Sequence, residues 1–439
     1  MANNTPKHPN KNQSKTDSKK YAQYVLYMLT GVYVFNFIDR QILIVIQEPI
    51  KKDLNLSDGQ LGLLTGFAFA IFYVTLGLPI ARLADKTNRK NIISASLVLW
   101  SAMTTLSGLV VNYWQLLLAR IGVGIGEAGG SPPAHSIISD YFPSERRATA
   151  LSIYSSGIYI GVMVGFLGGG IISQKFGWRV ALLAMGIPGI LYAFLVYFFV
   201  REPVRGMGEK IDVAQSSGGF QQNLKKLLTP TFILVALGSG SHAFLTYSLL
   251  SWAPPLLARI HEWSTLQIGL VLAVTNGIGG IIGNIVGGRL TDHWGQKDKA
   301  WYLRIPLIAG LLSMFPVAAI IFGSGTYLLI TAILLAVFLT SVYLGPALGV
   351  LFSLVRPDMR SFTSAIYFFI LNTIGLGLGP TVVGFFSDYL APSRGNESIR
   401  YALTVVFIME IMSIILFYFA SKHYPKDLAR HEADVAKGE

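Results

Sequence analysis

Twelve separate stretches of this chain are apolar for about 20 residues, the length at which a helix crosses the hydrocarbon of a bilayer. They run near 22–46, 60–82, 91–111, 115–138, 149–172, 179–200, 231–257, 266–290, 302–322, 326–352, 363–387 and 400–420. Polar punctuation separates them: ADKTNRK, SDYFPSERR and TDHWGQKDK cannot lie in hydrocarbon. In lipid a backbone must satisfy its own hydrogen bonds, which leaves helices as the solution for apolar runs of this length. The pattern predicts an all-α membrane protein of twelve transmembrane helices. Composition agrees, with 13% charged residues against the ~25% of soluble domains. No cysteine is present, which excludes disulfides, thiolate zinc sites and cysteine nucleophiles.

Loop charge sets the expected orientation. Alternate loops and the two tails hold 26 of the 35 lysines and arginines, and the opposite loops hold seven. Both termini are therefore expected in the cytoplasm, and the net charge of +12 is assigned to topology and anionic lipid, with no nucleic acid as partner. The opening MANNTPKHPNKNQSKTDSKK is basic and lacks a small-residue cleavage site. It reads as a disordered cytoplasmic tail, 1–20, and not as a signal peptide. The longest internal polar stretch, 201–229, divides the chain into six-helix halves, 21–200 and 230–421, followed by a second tail, 422–439. Each half places an aspartate, Asp85 or Asp292, near the cytoplasmic end of its second helix. Such repetition marks secondary transporters, whose halves rock about a central site.

Two ionisable residues stand side by side within the first span, Asp39 and Arg40 in GVYVFNFIDRQILIVI. At that depth each costs at least ~2.5–3.5 kcal/mol. Neighbours on a helix point about 100° apart, so each needs a partner from elsewhere. The fourth span offers Arg120 and Glu127, on roughly one face and about 10 Å apart along the axis. Glu410, alone in VVFIMEIMSII, reads as an interior-facing structural acid with proton coupling as the alternative. His242, in GSGSHAFLTYS, reads as a hydrogen-bonded cavity histidine that could also titrate near neutral pH. Tyr33, Phe37, Tyr154, Tyr159, Tyr247, Trp252, Asn276, Tyr367 and Asn372 are candidate cavity side chains. The glycines of span five, Gly157, Gly161, Gly165 and Gly169, form a smooth face suited to close helix packing. No H-E-x-x-H, P-loop or G-x-S-x-G is present, so neither a hydrolase nor a nucleotide-driven pump is expected.

Several motifs resemble the major facilitator superfamily. Its loop signature G-x3-[DE]-[RK]-x-G-[RK]-[RK] is matched by Asp85, Lys86, Arg89 and Lys90, with Ala81 and Asn88 at the glycine positions. Its fourth-helix signature R-x3-G-x-G appears as Arg120, Gly124 and Gly126. Its antiporter signature G-x3-G-P-x2-G-G appears from Gly161 with Phe166 in place of proline, which weakens an antiport assignment. A narrower resemblance, carried by Asn36-Phe-Ile-Asp39-Arg40, Gly126-Glu127-Ala-Gly-Gly-Ser-Pro-Pro and Ser139-Asp140-Tyr-Phe-Pro143, is to the spinster-like sphingolipid and lysophospholipid transporters and their bacterial relatives.

The resemblance implies that helices one and four line one cavity, bringing Asp39, Arg40, Arg120 and Glu127 together. Asp39 and Glu127 are then the expected proton carriers, and Arg40 and Arg120 the counter-charges or headgroup anchors. Asp85, Arg89 and Asp292 are the expected cytoplasmic gate. The expected protein is a monomeric, proton-coupled transporter of amphipathic lipid-like molecules in a bacterial inner membrane, using the proton gradient and no cofactor or metal. The alternatives are a multidrug or organic-anion transporter and, from another class, a non-transporting sensor or a lipid scramblase.

Overall fold

The computed structural model describes residues 11–204, 220–356 and 359–436. Helices follow one another along the chain. Span one is α1 (Lys11–Leu54), and span two is α2 (Asp58–Thr65) followed by α3 (Phe67–Lys86). Span three is α4 (Arg89–Ser107), and span four is α5 (Tyr113–Glu127) and α6 (Ser131–Tyr141). Spans five and six are α7 (Ser144–Phe176) and α8 (Trp178–Phe199). A short helix, α9 (Phe220–Leu227), precedes the second half. Spans seven to nine are α10 (Pro230–Ile260), α11 (Thr265–Gly295) and α12 (Trp301–Phe322). Span ten is α13 (Thr326–Thr340) and α14 (Leu344–Ser353). Span eleven is α15 (Arg360–Leu371), a π-helical turn at Asn372–Leu378 and α16 (Gly379–Arg394). The short α17 (Ser398–Ala402) leads into span twelve, α18 (Val405–Ala436).

Nine segments among the described residues are long and apolar enough to cross a membrane on composition alone. One of them, Phe362–Ala433, contains both spans eleven and twelve. Spans three and four complete the twelve. They are less apolar because they carry buried serines, threonines and charges, among them Ser101, Thr104, Arg120 and Glu127.

Both expected tails are shorter than the polar composition suggests. Lysine and glutamine propagate an existing helix readily, so α1 already includes 11–20 and α18 continues to Ala436. Residues 1–10, most of the linker (205–219) and 437–439 lie outside the described residues.

Lipid tails are as apolar as leucine, so helices here associate by close packing. The glycine stripe of α7 does this on α1. A methyl group at Gly157, Gly161 or Gly165 would meet the backbone of Thr30, Val34 or Ile38. The α11 stripe packs likewise on span ten, with Gly279, Gly283 and Gly287 against Leu334, Phe338 and Val342.

The two halves meet unevenly. At one end a single apolar cluster joins Ile42, Ile46, Leu61 and Leu64 of the first half to Leu245, Trp252, Leu256 and Val383 of the second. Toward the opposite end, which bears the lysine- and arginine-rich loops, there are two clusters, one around Trp100 and Tyr154 that the second half reaches through Leu376 and Tyr247, and one around Tyr367 and Phe417 in the second half.

Candidate functional site: a buried charge cluster and a closed end

Span four is interrupted right after Glu127, in the Ala128-Gly129-Gly130 step between α5 and α6. Gly129 packs against Ser96, and Gly130 lies against the ring of Trp100. Opposite this step, on α1, the Arg40 guanidinium donates through Nε to Glu127 Oε2. Three aromatic rings surround the same guanidinium. Its carbon lies 5.2 Å from the Phe37 centroid, 4.9 Å from Phe69 and 4.7 Å from Tyr73. The arginine is thus held by one carboxylate and a cage of π faces, a combination that keeps a cation stable away from water.

Asp39 is 1% exposed and points elsewhere. Ser101 of α4 donates to its Oδ2 at 3.1 Å. Its Oδ1 has no hydrogen-bond partner, and neither has Glu127 Oε1. Arg120 does not pair with a carboxylate. Its Nε donates to the Leu64 carbonyl at 3.3 Å and its guanidinium lies 5.2 Å from the Phe69 centroid. All four charges are within electrostatic reach of one another, yet only Arg40 and Glu127 are an ion pair.

The aromatic candidates divide into two groups. Tyr33 stacks on Tyr154 at 4.5 Å and meets Phe37 edge-on at 5.3 Å, a wall continuous with the Arg40 cage. Tyr247 of α10 reaches the same guanidinium electrostatically from the other half. Tyr159 and Asn276 line a cavity of about 160 Å³ between the halves, with Ile158 and Val162 of α7 on one side and the mainly apolar Leu249, Leu272, Ile333 and Ala336 on the other. Trp252 belongs to neither group: it is buried at the closed end, where its indole N–H donates to the Pro380 carbonyl at 2.9 Å. Tyr367 is buried in the second-half cluster, and Asn372 opens the π-helical turn.

Among the described side chains, the residues expected at the cytoplasmic gate do not join the two halves in this structure. Arg89 binds Asp140 at 2.6 Å, Glu202 at 2.7 Å and Ser136 at 2.7 Å, all within its own half. It staples span three to span four and to the residues after span six, and does not bridge the halves. Asp292 is exposed, in a depression with Lys299, Tyr302 and Tyr424 of its own half. The Asp85 side chain lies outside the described residues.

A gate-like network does exist, at the other end. Arg259 of α10 forks onto Asp58 of α2, at 2.7 and 2.8 Å, and its Nε donates to Glu48 of α1 at 2.9 Å. Lys51 and Ser387 also donate to the Asp58 carboxylate, at 2.5 and 2.7 Å. The first turn of α2 is capped twice. Ser57 forms a capping box with Gln60, and Asp388 of α16 accepts the N–H groups of Asp58 and Gly59 at 2.8 and 2.7 Å. A carboxylate at a helix N-terminus satisfies orphan donors and opposes the helix dipole. Charges from both halves are therefore paired and partly buried there. Read along the chain, these residues look like ordinary helix-end charges; only their convergence from spans one, two, seven and eleven marks them.

Sequence reading also left Glu410 isolated. It faces His242 across the second half, with both carboxylate oxygens 3.0 Å from Nδ1. Among the described residues no cluster of histidine and carboxylate side chains could hold a metal ion.

With this geometry in view, comparison with known proteins is informative. Residues 29–380 match the family model of the Major Facilitator Superfamily. An MFS-type efflux pump of Mycolicibacterium smegmatis is 33% identical over 91% of this chain and 93% of its own. Protein spinster homolog 1 of Mus musculus is 29% identical over 86% of this chain and 75% of its own. The crystal structure of a bacterial homolog of the human lysosomal transporter Spinster, inward-facing and unoccupied, superimposes with a TM-score of 0.84 at 30% identity, covering 93% of this chain and 98% of that one.

Proposed function

Because this chain belongs to the Major Facilitator Superfamily, we propose that it is a proton-coupled transporter of amphipathic, lipid-like molecules, working by alternating access as a monomer in a bacterial inner membrane. Membership makes it a multi-pass membrane transporter, with spinster proteins and an efflux pump among its relatives. The observation that carries the finer reading is the contrast across the bundle between the Arg40 site and the apolar cavity. The cavity has walls from both halves, Ile158 and Tyr159 of α7 and Thr246 and Leu249 of α10. It therefore lies at the same interface at which Tyr247 approaches Arg40, and one molecule would reach from one to the other. An anionic or zwitterionic head would replace or join Glu127 on Arg40, and a chain would fill the space beside Leu249 and Ala336.

The same geometry supports the proton role. Asp39 accepts from Ser101 and forms no ion pair, so it is the carboxyl that can take a proton without breaking one. A headgroup on Arg40 would release Glu127 to take another. With the lysine- and arginine-rich loops in the cytoplasm, the network around Arg259 seals the outer face and this conformation faces inward. Inward-facing is also the conformation of the similar bacterial spinster homolog.

The test is flux of lysolipids into proteoliposomes with an imposed pH gradient. Accumulation should follow the gradient and vanish in Asp39→Asn. Accumulation that ignores both the gradient and the substitution would overturn the proton role. A second reading, drug efflux, is favoured by the similarity to the mycobacterial pump; cationic drugs outcompeting lysolipids in the same assay would establish it.

A further inference from the structure

One buried titratable pair remains unused by this mechanism. His242 on α10 and Glu410 on α18 face each other inside the second half, with side chains 2% and 0% exposed. The second ring nitrogen of His242, Nε2, is 3.1 Å from the carbonyl of Thr340. Thr340 is the last residue of α13, and α14 resumes only at Leu344. The interruption removes the helical N–H that would otherwise take this carbonyl.

Hydrogen-bond polarity then fixes the proton count. A carbonyl only accepts, so Nε2 must carry a hydrogen. A neutral imidazole has a single N–H, which leaves Nδ1 as a bare acceptor. Opposite it, at 3.0 Å, stand both oxygens of Glu410. An ionised carboxylate there would put acceptor against acceptor. The contact is attractive only with one further proton, on Nδ1 or on the carboxyl. We propose that the His242–Glu410 pair is a second proton-binding site, loaded in this conformation and emptied when span ten or span twelve moves. This site rests on the proton-coupled reading above and places a second titrating element in the opposite half.

The surroundings make the loaded pair comfortable and the empty one costly. Either loaded form is neutral overall, whereas the empty pair carries one negative charge in a low-dielectric interior. Among the described residues, no lysine, arginine or second carboxylate is paired with either member. The titratable groups facing the pair are tyrosines. Tyr343, in the interruption itself, lies 4.5 Å from the imidazole centroid, and Tyr247 and Tyr367 follow behind it. From α12, Gly310 lies against Glu410. The Ser313 hydroxyl is spent on the Gly310 carbonyl, and a methyl group at Gly310 would collide with Glu410 Oε1. Thr340 also lines the apolar cavity. A substrate seated there would press on the residue that fixes the imidazole.

The absence of cysteine allows a direct test in the full chain. Lys86→Cys and Lys297→Cys place one spin label on each half near the basic end. The distance between them is followed in lipid nanodiscs from about pH 5 to pH 9, the range in which histidine titrates. The wild-type sequence should show two pH steps. Glu410→Gln, whose amide donates to Nδ1 at any pH, should lose one step and keep the other, and Asp39→Asn should lose the complementary one. His242→Gln should lose the same step as Glu410→Gln and decides the matter if that variant does not fold. Both steps retained in these two variants, with one lost in Asp39→Asn, would overturn the second site while leaving the proton-coupled reading intact. A pH profile unmoved by any of the three would overturn both.

Discussion

The two halves of this transporter solve one structural problem with different chemistry. Each interrupts its fourth helix near the middle of the bundle, after Glu127 in one and after Thr340 in the other. Each then brings a nitrogen base from its first helix to the interruption, Arg40 to the Glu127 carboxylate and His242 to the Thr340 carbonyl. In the first half the base is permanently charged and sits in an aromatic cage. In the second it is a histidine sharing a proton with Glu410 beside an apolar cavity. An arginine can only exchange anionic partners, whereas a histidine can change charge. On the function proposed above, a repeated scaffold divides its labour, with head recognition at Arg40, proton storage at His242 and the cavity between the halves left for the tail.

The largest break in this division should come from Asp39→Asn. Gradient-driven accumulation should fall at least about tenfold, a loss of roughly 1.4 kcal/mol or more of coupling, while substrate exchange without a gradient persists. Equal loss of both would make Asp39 a binding residue and undo the separation of roles. Next is Arg259→Ala at the closed end, which strands the buried Asp58 and Glu48 carboxylates. Removing one partner of a buried pair costs about 3–5 kcal/mol, and Lys51 and Ser387 still hold Asp58, so the lower figure is expected. Labelling of a single introduced cysteine, Leu61→Cys in the apolar cluster of the closed end, should rise severalfold as the outer face opens. Unchanged labelling would show that apolar contact alone keeps it shut.

A smaller effect is expected from Ala336→Phe, which intrudes on the cavity between the halves. It should raise KM for long-chain substrates by about tenfold, the equivalent of one or two buried methylenes. The pH profile should stay in place; a shifted profile would tie the cavity to the proton more tightly than drawn here. Smallest is Tyr73→Ala, which opens one face of the Arg40 cage. A cation–π contact contributes about 0.5–2 kcal/mol, so headgroup affinity should drop a few-fold, with Tyr73→Phe nearly silent. A Phe variant as damaged as the Ala variant would point to the hydroxyl instead of the ring.

The twelve spans were legible because hydropathy is a local property, and membrane crossing leaves it little freedom. The interruption in span four was also open to reading, since Ala-Gly-Gly-Ser-Pro-Pro announces it. Its counterpart in span ten was hidden in Thr-Ser-Val-Tyr-Leu-Gly, a stretch apolar enough to pass for continuous helix. Asp39, Arg40 and Glu127 were conspicuous by cost, but the uncharged partners of the cluster were not. Arg120 uses a main-chain carbonyl, which no sequence pattern displays, and Ser101 is one hydroxyl among many. His242 and Glu410 stand 168 positions apart, and neither alone signals the other. The network at the closed end was hidden for a similar reason. Arg89 carries a recognisable loop motif, whereas Arg259 and Asp58 are single charges at helix ends whose meaning appears only when two halves are brought face to face.

The tandem Pro254–Pro255 in α10 has a consequence for how the outer face opens. A proline at 255 has no N–H for the carbonyl of Ser251, and that carbonyl is taken instead by the Gln47 amide of the first half. When the halves separate there, the oxygen can be satisfied only by water. Outward opening is therefore a wetting event as well as a rotation. Osmolytes excluded from the new crevice should hold the protein inward-facing, and equal labelling of Leu61→Cys with and without concentrated sucrose would show that the crevice opens dry.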